Sequence, residues 1–596
     1  MQEHELRQLI EDVRTGALPR RGFVQQLVGL GLGAPIAGML LMHAGVANAQ
    51  SGPTYKPTKR GGGGALKTLW WQGPTLLNPH FANGTKDQAG CRIFYEPLGA
   101  WDADGNLIPI LAAEVPSREN GGVAADGRSV TWKLKKGVTW HDGTPFTADD
   151  VVFNHAYVLD PATAAVTIGP YRDTKIEKID THTVRLIFAK PTPYWAQAFT
   201  GTTGNIIPKH LFAPYIGAKS REAPSNLKPV GTGPYKFVDF KPGDMVRGTI
   251  NTNYHIANQP YFDSLELKGG GDAVSAARAV LQTGEFDYAW NLQVEEDVLK
   301  RLEAGGKGRA VVVTSGDIEF IQLNYSDSTQ EVDGERSNPK TRHPLWSEEP
   351  VRRAMNLLVD RQGIQEFIYG RGGVATPNFL NNPPRYRSSA LKFEFNVEKA
   401  IALLEGAGWK KGADGIREKG GRKLKLVYQT SINAPRQKAQ AIVKQACQKA
   451  GIDVELKSVT GSVFFSSDVG NPDTYPKFFA DMQMYTTTQD GPDPERFMDQ
   501  YLTEELASKA NKWSGRNVSR WRSPEYDKTY RIVESELDPV KRAVQIIKLN
   551  DLVSGDGYVI PIVNRPRVSG VSFKLVAPLS GWDDIHWALG AWYRET

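Results

Sequence analysis

Cysteine is almost missing from these 596 residues: only Cys91 and Cys447 occur, far apart and outside any CxxC pair. That removes the usual sequence support for a redox couple or a thiolate metal site. The ten histidines include no HExxH and no close pair at metal-ligand spacing, so a zinc hydrolase is not expected. No Walker loop, no GxSxG elbow and no GxGxxG after a strand is present, which excludes the phosphate cradles and the serine nucleophile that those motifs serve. After residue 42 no apolar run approaches the roughly 20 residues that span a bilayer. The formal net charge of +6 is spread among acids, without a basic stripe to track phosphates, so nucleic acid is not an expected partner. No low-complexity block interrupts the chain.

What is present begins with length. A chain of this size exceeds a single hydrophobic core, so two or three compact lobes with room for a deep cleft are expected. At the start, Pro19-Arg20-Arg21-Gly22-Phe23-Val24 precedes a weakly apolar stretch, Leu27 to Met42, broken by Gly and Pro. This resembles a twin-arginine export signal. Ala47-Asn48-Ala49 before Gln50 supplies a small-x-small cleavage pattern, and no Cys stands there to take a lipid. Residues 1–49 are therefore expected to be a removable signal, cut between Ala49 and Gln50, and the Gly/Pro/Lys-rich 50–64 a flexible leader.

Further on, Val130, Trp132 and Leu134 alternate with polar residues, the period of a half-buried strand, and Gly137 interrupts the run where a turn would sit. His141-Asp142-Gly143 is turn chemistry. Thr147 followed by Asp149 and Asp150 predicts a capped helix start. His141-Asp142 and Asp149-Asp150 are read as structural, because neighbouring helical residues point about 100° apart and not at one substrate. Other segments alternate strand and helix: a first strand at 65–71, a helix at 272–283 stopped by Gly284, and a capped helix at 396–408. A strand, helix, strand passage through Leu424 to Tyr428, Ala434 to Ala450 and Ile452 to Val459 predicts a parallel crossover. Gly231-Thr232-Gly233-Pro234 is a tight turn before a strand.

Val130 to Val152, together with Gly231 to Phe237, Phe286 to Asn291 and Tyr558 to Ile562, closely resembles the extracytoplasmic solute-binding proteins of ABC importers. The matching family includes the oligopeptide, dipeptide and nickel binders. The resemblance covers nearly all residues after about Ala65. It implies an α/β fold of the two-lobed periplasmic binding protein type (class II, cluster C), with an extra subdomain and a ligand cleft between lobes. Lobe one would take 65–97, 226–320 and 561–596, the subdomain 98–225, and lobe two 321–560. The chain would cross between lobes at Ile318 to Asn324 and Val559 to Val563.

The implied function is capture of a small solute in the periplasm, most readily a short peptide. Hinge closure would then deliver it to ABC permease subunits and their ATPases, with no catalysis, no cofactor or metal, no lipid anchor and a monomeric chain. Asp490, three residues before Asp493-Pro494, occupies the position that in peptide-binding relatives holds the ligand's amino terminus. Trp290 and Asn291 match positions near the ligand, with Tyr485, Thr487, Gln322 and Asn324 as further candidates. Relatives commonly carry Trp where this chain has Thr487. The run Thr486 to Thr488 would also suit a saccharide or opine-like ligand. A secreted hydrolase is the remaining alternative from another class, to be recognised by steady turnover of the bound solute.

Overall fold

The structure, a computed structural model, describes residues 3–14, 17–18, 22–23, 26, 53–466, 468–489 and 491–595. Arg20, Arg21, Ala49 and Gln50, on which the export and cleavage expectations rest, lie outside the described residues, as does Asp490.

Two sheets organise the chain. The first runs in spatial order Gly308–Val313, Arg567–Ser572, Tyr288–Ala289, Ala65–Trp70, Ser264–Gly269, Met245–Ile250, Tyr235–Lys241. Ala65–Trp70 is its parallel centre, pairing Leu66 with Leu265 and Leu69 with Ala289. The second runs Val374–Ala375, Val559–Asn564, Ile318–Leu323, Met482–Thr487, Lys425–Ser431, Asp453–Val459. Its last two strands are parallel, joined by the helix Ala434–Lys449, the crossover expected from the sequence. The expected crossings need correction. Ile318–Leu323 and Val559–Asn564 are fully buried interior strands of the second sheet, paired with each other. A strand buried along its whole length and paired on both edges is a core strand and not a connector. The chain passes between the sheets at 314–317 and again at 565–566, where the strand assignments end.

The sequence signature folds as its local chemistry dictates. Ser129–Lys133 is a strand with Val130 and Trp132 buried. Gly137 has φ +75°, which a side chain would disfavour. Thr147 caps the helix Ala148–Leu159 in a capping box with Asp150. His141 ties its own signature block to the Gly231 to Phe237 block: its amide donates to the Gly231 carbonyl at 2.8 Å, its Nδ1 accepts from the Gly231 amide at 3.1 Å, and its Nε2 faces the Gly233 carbonyl at 3.0 Å. A ring nitrogen that accepts an N–H is unprotonated, so Nε2 carries the proton, and burial lowers the imidazole to about pKa 4. Gly231 is obligatory because a Cβ there would collide with the Phe94 carbonyl.

The region 98–225 does not own a separate core. Trp132, Trp140 and Tyr171 belong to one cluster with Leu66, Trp70 and Trp592 of the first lobe, whereas lobe two carries its own clusters around Trp346, Val443 and Ile560 and around Phe320, Phe379 and Tyr501. The leader also departs from expectation from residue 53 onward. Tyr55 donates to the Asn258 carbonyl at 2.9 Å, Arg60 donates to the carbonyls of Tyr254 and Ile256, and the amides of Gly62 and Gly64 each donate to Asp263 at 2.8 Å. Glycines expected to supply looseness instead allow close backbone approach: Gly63 lies directly against Tyr261.

Candidate functional site: a cleft between the lobes

Strand alternation places the first aromatic wall. Trp70 ends its strand pointing into the core, and Trp71, next in the chain, turns to the other side and lines a cavity of about 910 Å³ between the lobes. Trp290 stacks on Trp70 with ring centroids 5.9 Å apart and planes 4° from parallel, and it borders the cavity beside Trp71 at 6.2 Å. Asn291 adopts a left-handed φ of +51°, a conformation Asn tolerates better than most residues. Its carbonyl accepts from Trp71 Nε1 at 2.9 Å. Trp101 and Tyr194 contribute a second aromatic pair from the subdomain.

Lobe two supplies the facing wall from the strand Met482–Thr487 and the loops after it. Tyr485, Thr486, Thr487 and Thr488 line the cavity, with Phe465, Tyr475 and Phe497 nearby. Tyr485 is held edge-on to Phe320 at 4.8 Å and donates its hydroxyl to Gln322 Oε1 at 2.9 Å. Gln322 itself is buried beneath that contact and does not reach the cavity. Asn324 is more remote: fully buried, it donates to Ser337 Oγ and to the carbonyls of Phe478 and Ala480, and it braces a loop. Of the residues singled out in the sequence, Trp290, Asn291, Tyr485 and Thr487 therefore come together around one cavity. Gln322 positions Tyr485, and Asn324 stands apart. Thr488 and Gly491, on either side of the Gln489-Asp490 pair, border the cavity.

The electrostatic centre was missed in the sequence. Glu319 pairs with Val563 next to a register shift between Ile318–Leu323 and Val559–Asn564, where the partner strand carries one extra residue. Fully buried, it accepts from Arg436 Nε at 2.7 Å and from Thr486 Oγ1 at 2.6 Å. Arg436 Nη2 and Arg565 Nη1 both donate to Thr486 Oγ1, at 2.9 and 2.8 Å. Arg565 Nη2 donates to Asn291 Oδ1 at 3.1 Å, reaching lobe one. One carboxylate thus serves two guanidiniums at the edge of the cleft. The signal was legible: an acid flanked by Ile318, Phe320 and Ile321 stays charged in a core strand only if paired.

Two further acids line the cavity where the C-terminal segment meets the subdomain. Asp583 Oδ2 accepts from the Trp101 amide at 2.7 Å, and Asp584 Oδ1 accepts from the His586 amide at 2.8 Å. Burial outweighs these bonds and the nearby Arg92, lifting both carboxyls to about pKa 6. Behind the Gly491–Phe497 wall, buried Arg542 pairs with Asp493 at 3.0 Å and Glu495 at 2.6 Å, and so anchors both sides of the Asp493-Pro494 turn. Among the described residues no group of three His, Cys, Asp or Glu side chains is placed to hold a metal ion.

Comparison with known proteins agrees with this geometry. The chain is 29% identical over 399 residues to the oligopeptide-binding protein AppA of Bacillus subtilis, covering 65% of this chain and 68% of the relative. The solved structure of that AppA in complex with a nonapeptide superposes with a TM-score of 0.76 at 22% identity, over 91% of this chain and 100% of the other. NikZ from Campylobacter jejuni, solved with Ni(L-His), gives a TM-score of 0.75 at 21% identity, over 89% and 99% of the two chains. These superpositions establish the two-lobed fold. Residues 106–508 match the family model described as "Bacterial extracellular solute-binding proteins, family 5 Middle", and the chain therefore belongs to the family 5 extracellular solute-binding proteins.

Proposed function

We propose that this protein is the peptide receptor of an ABC importer. It takes a short peptide into the cleft, closes about the crossings at 314–317 and 565–566, and presents the closed form to a membrane permease driven by its ATPases. The observation that carries the reading is the cavity of about 910 Å³, walled by aromatic rings and hydroxyls from both lobes. A cavity of this kind is within the range that buries most of a small ligand's surface. Capture without covalent chemistry fits the same walls. Binding favours the closed form by the difference in its affinity for the two states.

Trp290, Asn291, Tyr485 and Thr487 are the proposed contacts, and Asp490, from its place before Asp493-Pro494, is the proposed acceptor for the peptide's ammonium group. A carboxylate facing an ammonium forms a charge-assisted bond that strengthens as water is excluded. The twin-arginine pattern at Arg20-Arg21 and the cleavage pattern at Ala49-Gln50, with no Cys at the cleavage point, support export to the periplasm without a lipid anchor.

A thermal-shift panel of peptides two to nine residues long, alongside mass analysis of whatever co-purifies, tests the reading. A true ligand at 100 times its Kd adds about 2.7 kcal/mol to stability. If no peptide raises the melting temperature, the peptide assignment is wrong. A second reading, a saccharide or opine-like solute, draws on the Thr486 to Thr488 hydroxyls in the cavity wall. Asp490→Asn separates the two, since a peptide amine would lose affinity strongly and a neutral sugar much less.

A further inference from the structure

The cations around the cleft differ in how they are neutralised. Arg436 and Arg565 share Glu319, and Arg496 and Arg516 share Asp499. Arg221 borders the same cavity, yet forms no ion pair and no hydrogen bond with any of the described residues. It is not adrift. Its guanidinium carbon sits 3.6 Å above the centre of the Phe81 ring, and Phe81, buried and itself at the cavity, is a fixed platform.

The segments that carry the two residues are tied together by the side-chain amides of Asn78 and Asn226. Asn226 accepts from Asn78 Nδ2 at 2.7 Å in the turn that presents Phe81, and donates through its own Nδ2 at 2.9 Å to the Ser220 carbonyl, the residue before Arg221. The Phe81 amide closes that turn on the Asn78 carbonyl at 3.1 Å. A guanidinium stacked on an aromatic face has its plane fixed by the ring, while its edge of N–H donors stays available to a carboxylate. Pre-orienting the fork removes part of the entropy cost of binding one.

We propose that Arg221, held on Phe81, is a specificity-determining residue that selects peptides bearing an acidic side chain. This rests on the peptide reading above and deepens it: the ligand is an Asp- or Glu-containing peptide, and its side-chain carboxylate pairs with Arg221. The shared neutralisation of the other guanidiniums works in the same direction. At Glu319 two arginines share one acid, so that part of the wall favours an anionic group, while Asp583 and Asp584 mark a separate acidic stretch of the cavity.

The test is a defined mixture of pentapeptides in matched pairs that differ only by Glu or Gln at one position. The mixture is incubated with the full chain, and the retained species are read by mass after removal of free peptide. For the native chain, Glu members are retained about ten-fold over their Gln partners. In Arg221→Gln the ratio falls to near one, and in Arg221→Lys, which keeps the charge without the planar fork, it lies between. A ratio near one for the native chain, or a preference untouched by Arg221→Gln, overturns the assignment while leaving peptide binding intact. Retention of no peptide at all overturns both readings together.

Discussion

Arg565 Nη2 donates to Asn291 Oδ1 at 3.1 Å, from the segment where the chain returns from lobe two to a residue on the wall of lobe one. Its other terminal nitrogen donates to Thr486 in lobe two. A single planar side chain therefore registers both walls at once. Lysine has one point of charge and cannot span both acceptors in the same geometry.

Arg565→Lys is expected to weaken ligand affinity about ten-fold, with the loss appearing in the dissociation rate, because a bond that ties the two walls of the cleft together is removed. Stopped-flow release of bound peptide measures this. An unchanged dissociation rate would remove Arg565 from the closure mechanism.

Glu319→Gln leaves Arg436 and Arg565 beside a neutral amide in a buried setting. Breaking a buried pair from one side costs about 3–5 kcal/mol, and urea denaturation should show that loss. Replacing Arg436 with Met in the same chain should recover part of it, since the orphaned charge goes too. A single-variant loss under about 1 kcal/mol would mean that water reaches the cluster.

Trp290→Ala removes a cavity wall while Trp70 beneath it remains packed in the core. Loss of an aromatic platform of this kind is expected to raise the ligand's Kd roughly thirty-fold, about 2 kcal/mol. Calorimetric titration distinguishes this from a folding defect, because the melting temperature of the free protein should move little.

Acid should act through the buried histidines. His80, between Thr167 at 2.7 Å and Asn154 at 2.8 Å, is lowered to about pKa 4 by burial, and so is His586. Because the unfolded imidazole takes its proton near pH 6.5, the stability each provides is full above that pH and falls away as pH drops toward 4. For His80 the swing is on the order of 3 kcal/mol. Asp583 and Asp584, held near 6, have the opposite sign: they gain stability as pH falls through 6 toward the unfolded carboxyl value. The destabilisation caused by His80→Gln should accordingly be larger at pH 7.5 than at pH 4.5. Equal losses at the two values would show that His80 titrates normally.

Much of this architecture was legible in short-range chemistry. Thr147 and Asn396 cap their helices where the sequence places them, and the passage from Leu424 to Val459 forms its parallel crossover, because capping and periodicity depend on residues a few positions apart. Trp290, Asn291, Tyr485 and Thr487, singled out in the sequence as ligand candidates, all border one cavity. The boundaries between lobes were not legible in this way. Ile318–Leu323 reads as a plausible connector until its two neighbouring strands are known, and those strands come from residues more than 150 positions away.

The sequence by itself determined the family, the α/β alternation, and the structural use of His141, each set by local pattern. Only the tertiary structure decided that the leader from residue 53 is fastened to lobe one, that Asn324 lies away from the cavity, and that Glu319, Arg436, Arg565 and Asn291 form one network. It also decided that Arg221 rests on Phe81 across 140 residues of chain. The physical reason is that buried charge and cleft walls are relations between segments distant in sequence, specified by which surfaces pack together and not by any periodicity within one of them.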